Sequence, residues 1–125
     1  MILITMNSKR LKLTVEGHAM PEENGGNDAD TIGICNAVSA LAQGLIYTIS
    51  QYNNGEGTTK SIQYRNDPGD LMIKIFPEPW AEREIRHRFE IYADGLQLMA
   101  ESHPQSVTFI RDGERIIAKE EQAHE

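Results

Sequence analysis

The sequence predicts a two-layer α+β domain, a mixed or antiparallel sheet with two helices on one face, in the order ββαββαβ and with a possible C-terminal edge strand. Three observations predict it. Several short runs alternate apolar and polar residues with the period of strands: Leu11, Leu13 and Val15; Ile62 and Tyr64; Leu71, Ile73 and Ile75; Val107 and Phe109. Two longer stretches, behind Cys35 and behind Trp80, repeat apolar residues every three or four positions, the stripe of an amphipathic helix. Residues that favour turns stand between these segments and join neighbouring strands as hairpins.

Taken in order, the apolar run Ile2-Leu3-Ile4 and the alternating segment Leu11 to Val15 flank Asn7-Ser8-Lys9, which can turn, so the chain opens with a β-hairpin. A helix is expected from about Ile34 to Tyr52, with Val38, Leu41, Leu45, Ile49 and Tyr52 facing the core. Asn53-Asn54-Gly55-Glu56-Gly57 ends it, because these residues tolerate positive φ and break helices. Strands at Lys60 to Arg65 and Leu71 to Phe76 form a second hairpin. Pro68 and Gly69 occupy the two central positions of a type II turn between them.

Pro77-Glu78-Pro79 stops that strand, and a second helix runs from about Trp80 to Glu101 on the stripe Ile85, Phe89, Tyr92, Leu96 and Met99. A last core strand carries Val107 and Phe109. Asp112-Gly113 then signals a tight turn into a short edge strand within Glu114 to Lys119. Residues 1–119 are expected to form one domain and 120–125 a mobile acidic tail. Gly44 and Gly95 each sit inside a helix, where glycine costs about 1 kcal/mol relative to alanine, so at least one should mark the closest approach of the two helices. Met72, Lys74 and Phe76 should point away from the helices and leave a partly apolar patch for self-association.

Composition narrows the function. A chain of 125 residues with a formal charge of −7 is not built for general binding of DNA or RNA, whose affinity comes from Lys and Arg neutralising phosphates. Its field attracts basic partners instead. No stretch reads as a membrane span and the first residues lack a signal-peptide pattern, so a cytoplasmic location is expected. The single cysteine excludes an intramolecular disulfide and argues against structural zinc, and His87, His103 and His124 have no metal-ligand spacing; no metal or cofactor is called for.

Chemistry concentrates between Gly17 and Ala42. Cys35 falls at the expected start of the first helix, where the dipole and unpaired N–H groups favour a thiolate. His18 directly follows the second strand, and the intervening loop, with the possible hinge Gly25-Gly26, can double back to bring imidazole and sulfur together as thiol catalysis requires. Asp28 or Asp30 could orient the imidazole, or simply solvate the loop or cap the helix. N–H groups near Gly33 to Asn36 could hold an oxyanion, although Gly33 reads equally well as a turn residue. Ser39, one turn beyond Cys35, either meets the substrate or loop or bonds its own backbone.

Gly17-His18-Ala19, a loop with Gly and Asp, and then Cys35-Asn36-Ala37-Val38-Ser39-Ala40-Leu41 resemble the ribosomal-processing cysteine protease family Prp. The resemblance implies that His18 and Cys35 are the catalytic pair, that Ser39 is the family's serine, and that the protein is a homodimer. It also implies an endopeptidase acting on a protein substrate, the N-terminal extension of a large-subunit ribosomal protein, or a capsid or scaffold precursor if the chain is a phage or divergent member. Two departures stand out. Seventeen positions separate His18 from Cys35, more than the family usually has, and Ile32 occupies the position three before the cysteine where the family commonly has Asp. These departures would suit a non-catalytic dimeric protein-binding module on the same scaffold.

Overall fold

A computed structural model describes residues 1–17 and 28–117, with the backbone alone for 28–31. Its strands are β1 (Ile2–Asn7), β2 (Lys12–Gly17), β3 (Thr59–Asp67), β4 (Asp70–Pro77), β5 (Val107–Arg111) and β6 (Glu114–Arg115). Its helices are α1 (Asp28–Glu56) and α2 (Glu82–Ser102), the latter preceded by a 3-10 turn at Pro79–Ala81. The order is the one the sequence predicts. The strands form one mixed sheet, β3-β4-β2-β1-β5-β6, in which only β1 and β5 run parallel.

Strand alternation makes one sheet face apolar. Ile4 and Met6 of β1, Leu13 of β2, Ile73 and Ile75 of β4 and Phe109 of β5 are fully buried against the stripes Val38, Ala42, Leu45 and Ile49 of α1 and Ile85, Phe89, Ala93 and Leu96 of α2. Each of the larger side chains contributes about 1.5–3 kcal/mol by leaving water. Both helices therefore lie on the same face, because their apolar stripes and the apolar sheet face have only each other to cover them. Leu41, Tyr52, Tyr92 and Met99, assigned to the stripes from sequence, pack at the border of the core and stay partly exposed.

The helix seam confirms the role read for the two glycines. A Cβ on Gly44 would stand 2.7 Å from Cε1 of Tyr92, and one on Gly95 would stand 2.9 Å from Cδ2 of Leu41. Bare backbone lets α1 and α2 approach there. Gly57, at φ 64°, closes α1 with its N–H on the Asn53 carbonyl at 2.7 Å, while the Asn53 side chain accepts the Thr59 N–H at 2.9 Å. Gly69, at φ 71°, completes the expected type II turn between β3 and β4.

Three expectations change. The first helix begins at Asp28 rather than near Ile34. Within it, Ile32–Glu56 is long and apolar enough to cross a membrane by length and composition, contrary to the sequence reading. Its apolar side, however, is spent on the sheet: Ile34, Val38, Ala42, Leu45 and Ile49 are all buried. The edge strand β6 keeps only two residues, paired as Ile110↔Arg115 and Arg111↔Glu114, with one further bond from the Ile116 N–H to the Phe109 carbonyl at 2.8 Å. The tail 120–125 lies outside the described residues.

At the end of the sheet where β1 turns into β2, side chains tie the loops together. The Ser8 N–H and hydroxyl both donate to the Asp112 carboxylate at 2.7 Å, and the Asp112 N–H donates to the Met6 carbonyl at 2.9 Å. Arg86 of α2 donates to the Ser8 carbonyl and to Glu82. These bonds hold the Asp112 carboxyl below its ordinary value, first through the Ser8 backbone, then the Ser8 hydroxyl, with Arg111 and Arg86 adding charge. Met72, Lys74 and Phe76 do face away from the helices. All three are half-buried, with the Lys74 ammonium 5.1 Å from the Phe76 ring centre, and Lys12 sits opposite Lys74 in the ladder.

Candidate active site

At the other end of the sheet, on the helix side, a cleft of about 370 Å³ opens between α1 and the β3–β4 turn. Its floor is apolar, made by Ile2, Val15, Val38, Ala42 and Leu71, and its α1 wall carries Cys35, Asn36 and Ser39. The spacing explains the wall: residues three and four apart share a helix face, so the stripe that buries Val38 and Ala42 brings Cys35 and Ser39 to the cleft beside it. Cys35 is half-buried and packs against the core cluster, whereas Asn36 and Ser39 are exposed.

The opposite wall is Asn66 to Asp70. Sheet order places it there. Because β4 lies between β2 and β3, the register Val15↔Leu71 and Glu16↔Asp70 brings the β3–β4 turn level with the exit of β2. Gly17, the last residue of β2, lines the same cleft and donates its N–H to the Gly69 carbonyl at 2.9 Å. Its φ of 85° is a conformation that L side chains avoid, and a Cβ there would overlap the Met1 carbonyl. Thus the glycine of the Gly17-His18-Ala19 motif has a steric reason to be glycine.

The remaining sequence assignments fare differently. His18, Gly25 and Gly26 lie outside the described residues. Asp28 and Asp30 are the first and third residues of α1, and their side chains also lie outside. Cys35 is the eighth helical residue, two turns in rather than in the first turn. The unpaired N–H groups of a helix are its first four, and here they belong to residues 28–31. Those of Gly33 to Asn36 fall in the helix interior, where each N–H donates to the carbonyl four residues back. Gly33 is therefore not a turn into the helix; it is exposed, and a Cβ there would meet nothing within 4 Å.

Sequence reasoning missed the Asn66–Asp70 wall as part of the site. The turn itself was legible from Pro68-Gly69, but its position opposite Cys35 follows from long-range pairing of β2 with β4, for which no local signal exists. Asn66 is paired with Leu71, whose side chain faces the helices, so Asn66 faces the same side. It has no hydrogen-bond partner among the described residues.

Comparison with solved structures supports this architecture. Protein SMU.848 from Streptococcus mutans superposes with a TM-score of 0.58 at 20% identity, covering 88% of this chain and 90% of that one. The ribosomal processing protease Prp from S. aureus in complex with a substrate peptide gives 0.62 at 14% identity, covering 88% and 96%. The same S. aureus protease with a covalently linked product peptide gives 0.57 at 18%, with the same coverage. At these identities the likeness establishes the fold. No curated protein sequence matches the chain. A family model described as cysteine protease Prp matches residues 1–108, and with the sole cysteine lining a cleft on the matching fold, the chain belongs to the Prp family of cysteine proteases.

Proposed function

We propose that this protein is an endopeptidase that cleaves the N-terminal extension of a ribosomal protein, with Cys35 as nucleophile and His18 as its base. The observation that carries the reading is the position of Cys35. A member of a cysteine protease family with one cysteine has one candidate nucleophile, and that residue lines an open cleft with an apolar floor and polar walls. Such a cleft suits an extended peptide, whose side chains need apolar contacts and whose backbone needs polar ones. The S. aureus relatives, with a substrate peptide in one structure and a covalently linked product peptide in another, support the substrate class.

In this mechanism the Cys35 Sγ, relieved of its proton by His18, attacks the scissile carbonyl carbon. A C–S bond forms and the carbonyl π pair moves to oxygen. Collapse of that oxyanion expels the amine, which takes a proton from the His18 imidazolium, and water then hydrolyses the thioester. His18 is joined by one peptide bond to Gly17, which lines the cleft, and this supports its role as the base. A ribosomal-protein substrate would place the enzyme in the cytoplasm. The acidic charge of −7 favours such basic substrates, and Met72 and Phe76 on the open sheet face support the homodimer.

The test is incubation of the purified protein and of Cys35→Ala with ribosomal-protein and capsid-protein precursors, followed by mass spectrometry of the products. Cleavage of the ribosomal precursor by wild type, lost in the variant, is the expected result. Selective cleavage of the capsid precursor would replace the proposed substrate, and cleavage that persists in Cys35→Ala would remove the nucleophile.

A further inference from the structure

We infer that Asn66 is a catalytic residue whose side-chain amide donates a hydrogen bond to the oxyanion formed when Cys35 attacks the scissile carbonyl. This rests on the reading of Cys35 as the nucleophile. It starts from a vacancy in the mechanism: an acyl transfer through a tetrahedral intermediate needs donors aimed at the developing negative charge, and the backbone N–H groups around Cys35 belong to the interior of α1. The donors must then come from elsewhere in the cleft.

On the wall facing Cys35 the choice is narrow. Among the described lining residues on that side, Asp67 and Asp70 present carboxylates, which accept when ionised, while Pro68, Gly69 and Leu71 have no side-chain donor. Asn66 alone carries side-chain N–H groups. Its register with Leu71 directs it toward the helix side, it is exposed, and no described group engages its amide. Asp70, by contrast, is held by Arg65 through two bonds at 2.8 and 3.1 Å. An unpartnered amide that lines the same cleft as Cys35 is available to a carbonyl oxygen bound there. Asn36 and Ser39 share the wall of Cys35 itself and flank the sulfur from its own side.

The experiment pairs two reactions of Cys35 that differ in whether an oxyanion forms. Peptide cleavage passes through one; alkylation by iodoacetamide is a direct displacement at carbon and does not. In Asn66→Ala, kcat for cleavage of the precursor peptide should fall about 100-fold, with KM little changed and the alkylation rate at wild-type level. Asn66→Asp, similar in shape but without an N–H donor, should lose at least as much, and Asn66→Gln, which keeps the donor, should recover part of the rate. Urea midpoints measured alongside should match wild type, because Asn66 is exposed and unpartnered. A kcat within a few-fold of wild type in Asn66→Asp overturns the inference, as does a loss confined to KM or an equal loss in alkylation. If Cys35→Ala is inactive while Asn66→Asp is fully active, this inference fails and the nucleophile stands; if Cys35→Ala still cleaves, both fall.

Discussion

The two ends of the sheet close their turns in opposite ways. At one end, Ser8, Asp112 and Arg86 lock the β1–β2 turn to the β5–β6 turn and to α2 with side-chain hydrogen bonds that leave the carboxylate of Asp112 fully engaged. At the other, the exit of β2 meets the β3–β4 turn through one backbone bond, Gly17 to Gly69, and the polar side chains of Asn36, Ser39 and Asn66 line a cleft with no hydrogen-bond partner among the described residues. A fold gains stability by satisfying polar groups and gains a site by leaving them for a ligand. Changes at the cleft end should therefore alter chemistry at little cost in stability, and changes at the locked end should do the reverse.

The largest expected effect sharpens that contrast most. Cys35→Ala should reduce proteolysis by a factor of 1,000 or more, on the order seen when a catalytic nucleophile is removed, while the urea midpoint moves by less than about 1 kcal/mol in stability, since the half-buried thiol is replaced by a smaller apolar group. Gly17→Ala is the exception built into the cleft end. Its positive φ and the overlap of a new Cβ with the Met1 carbonyl should cost about 2–3 kcal/mol and displace the backbone immediately before His18, so that both stability and kcat fall. Chemical denaturation and cleavage assays on the same preparation check both.

The helix seam gives a smaller effect with an internal control. Gly44→Ala should destabilise by about 1 kcal/mol, because overpacking against the rigid Tyr92 ring outweighs the gain in helix propensity. Gly95→Ala meets the end of the flexible Leu41 side chain and should change the denaturation midpoint by less than about 0.5 kcal/mol. The smallest effect lies at the locked end and depends on pH. Because folding lowers the Asp112 carboxyl below its ordinary value of 3.8, it adds stability above that pH and loses it as pH falls through the folded value. Asp112→Asn should thus be less stable than wild type by under about 1 kcal/mol near neutrality, with the gap closing as pH falls below the ordinary carboxyl value of 3.8 and cleavage activity unchanged at pH 7.

Most of the architecture was legible because it rests on local rules. Alternation in Leu11 to Val15 and Leu71 to Phe76, the apolar stripes, Pro68-Gly69 and Asp112-Gly113 each point to a local structure that the fold adopts. The seam glycines were legible for the same reason, as residues that weaken a helix unless something packs close. The start of α1 was not. Asp28, Ala29 and Asp30 carry no apolar periodicity, and Gly33 has the composition of a turn, although a glycine can sit on an exposed helix face at modest cost. That single boundary carried the oxyanion assignment with it. The facing wall was hidden too, because strand order across β2, β4 and β3 is set by pairing between residues more than fifty positions apart.

One measurement bears most directly on the claim that the cleft brings a peptide to Cys35: intact-mass and tandem mass spectrometry of the full chain after reaction with a chloromethyl ketone of the precursor peptide. The expected result is one peptide per chain, attached at Cys35, with labelling blocked by excess uncut precursor. Labelling at another residue, or at Cys35 but unaffected by the precursor while cleavage proceeds, would contradict it.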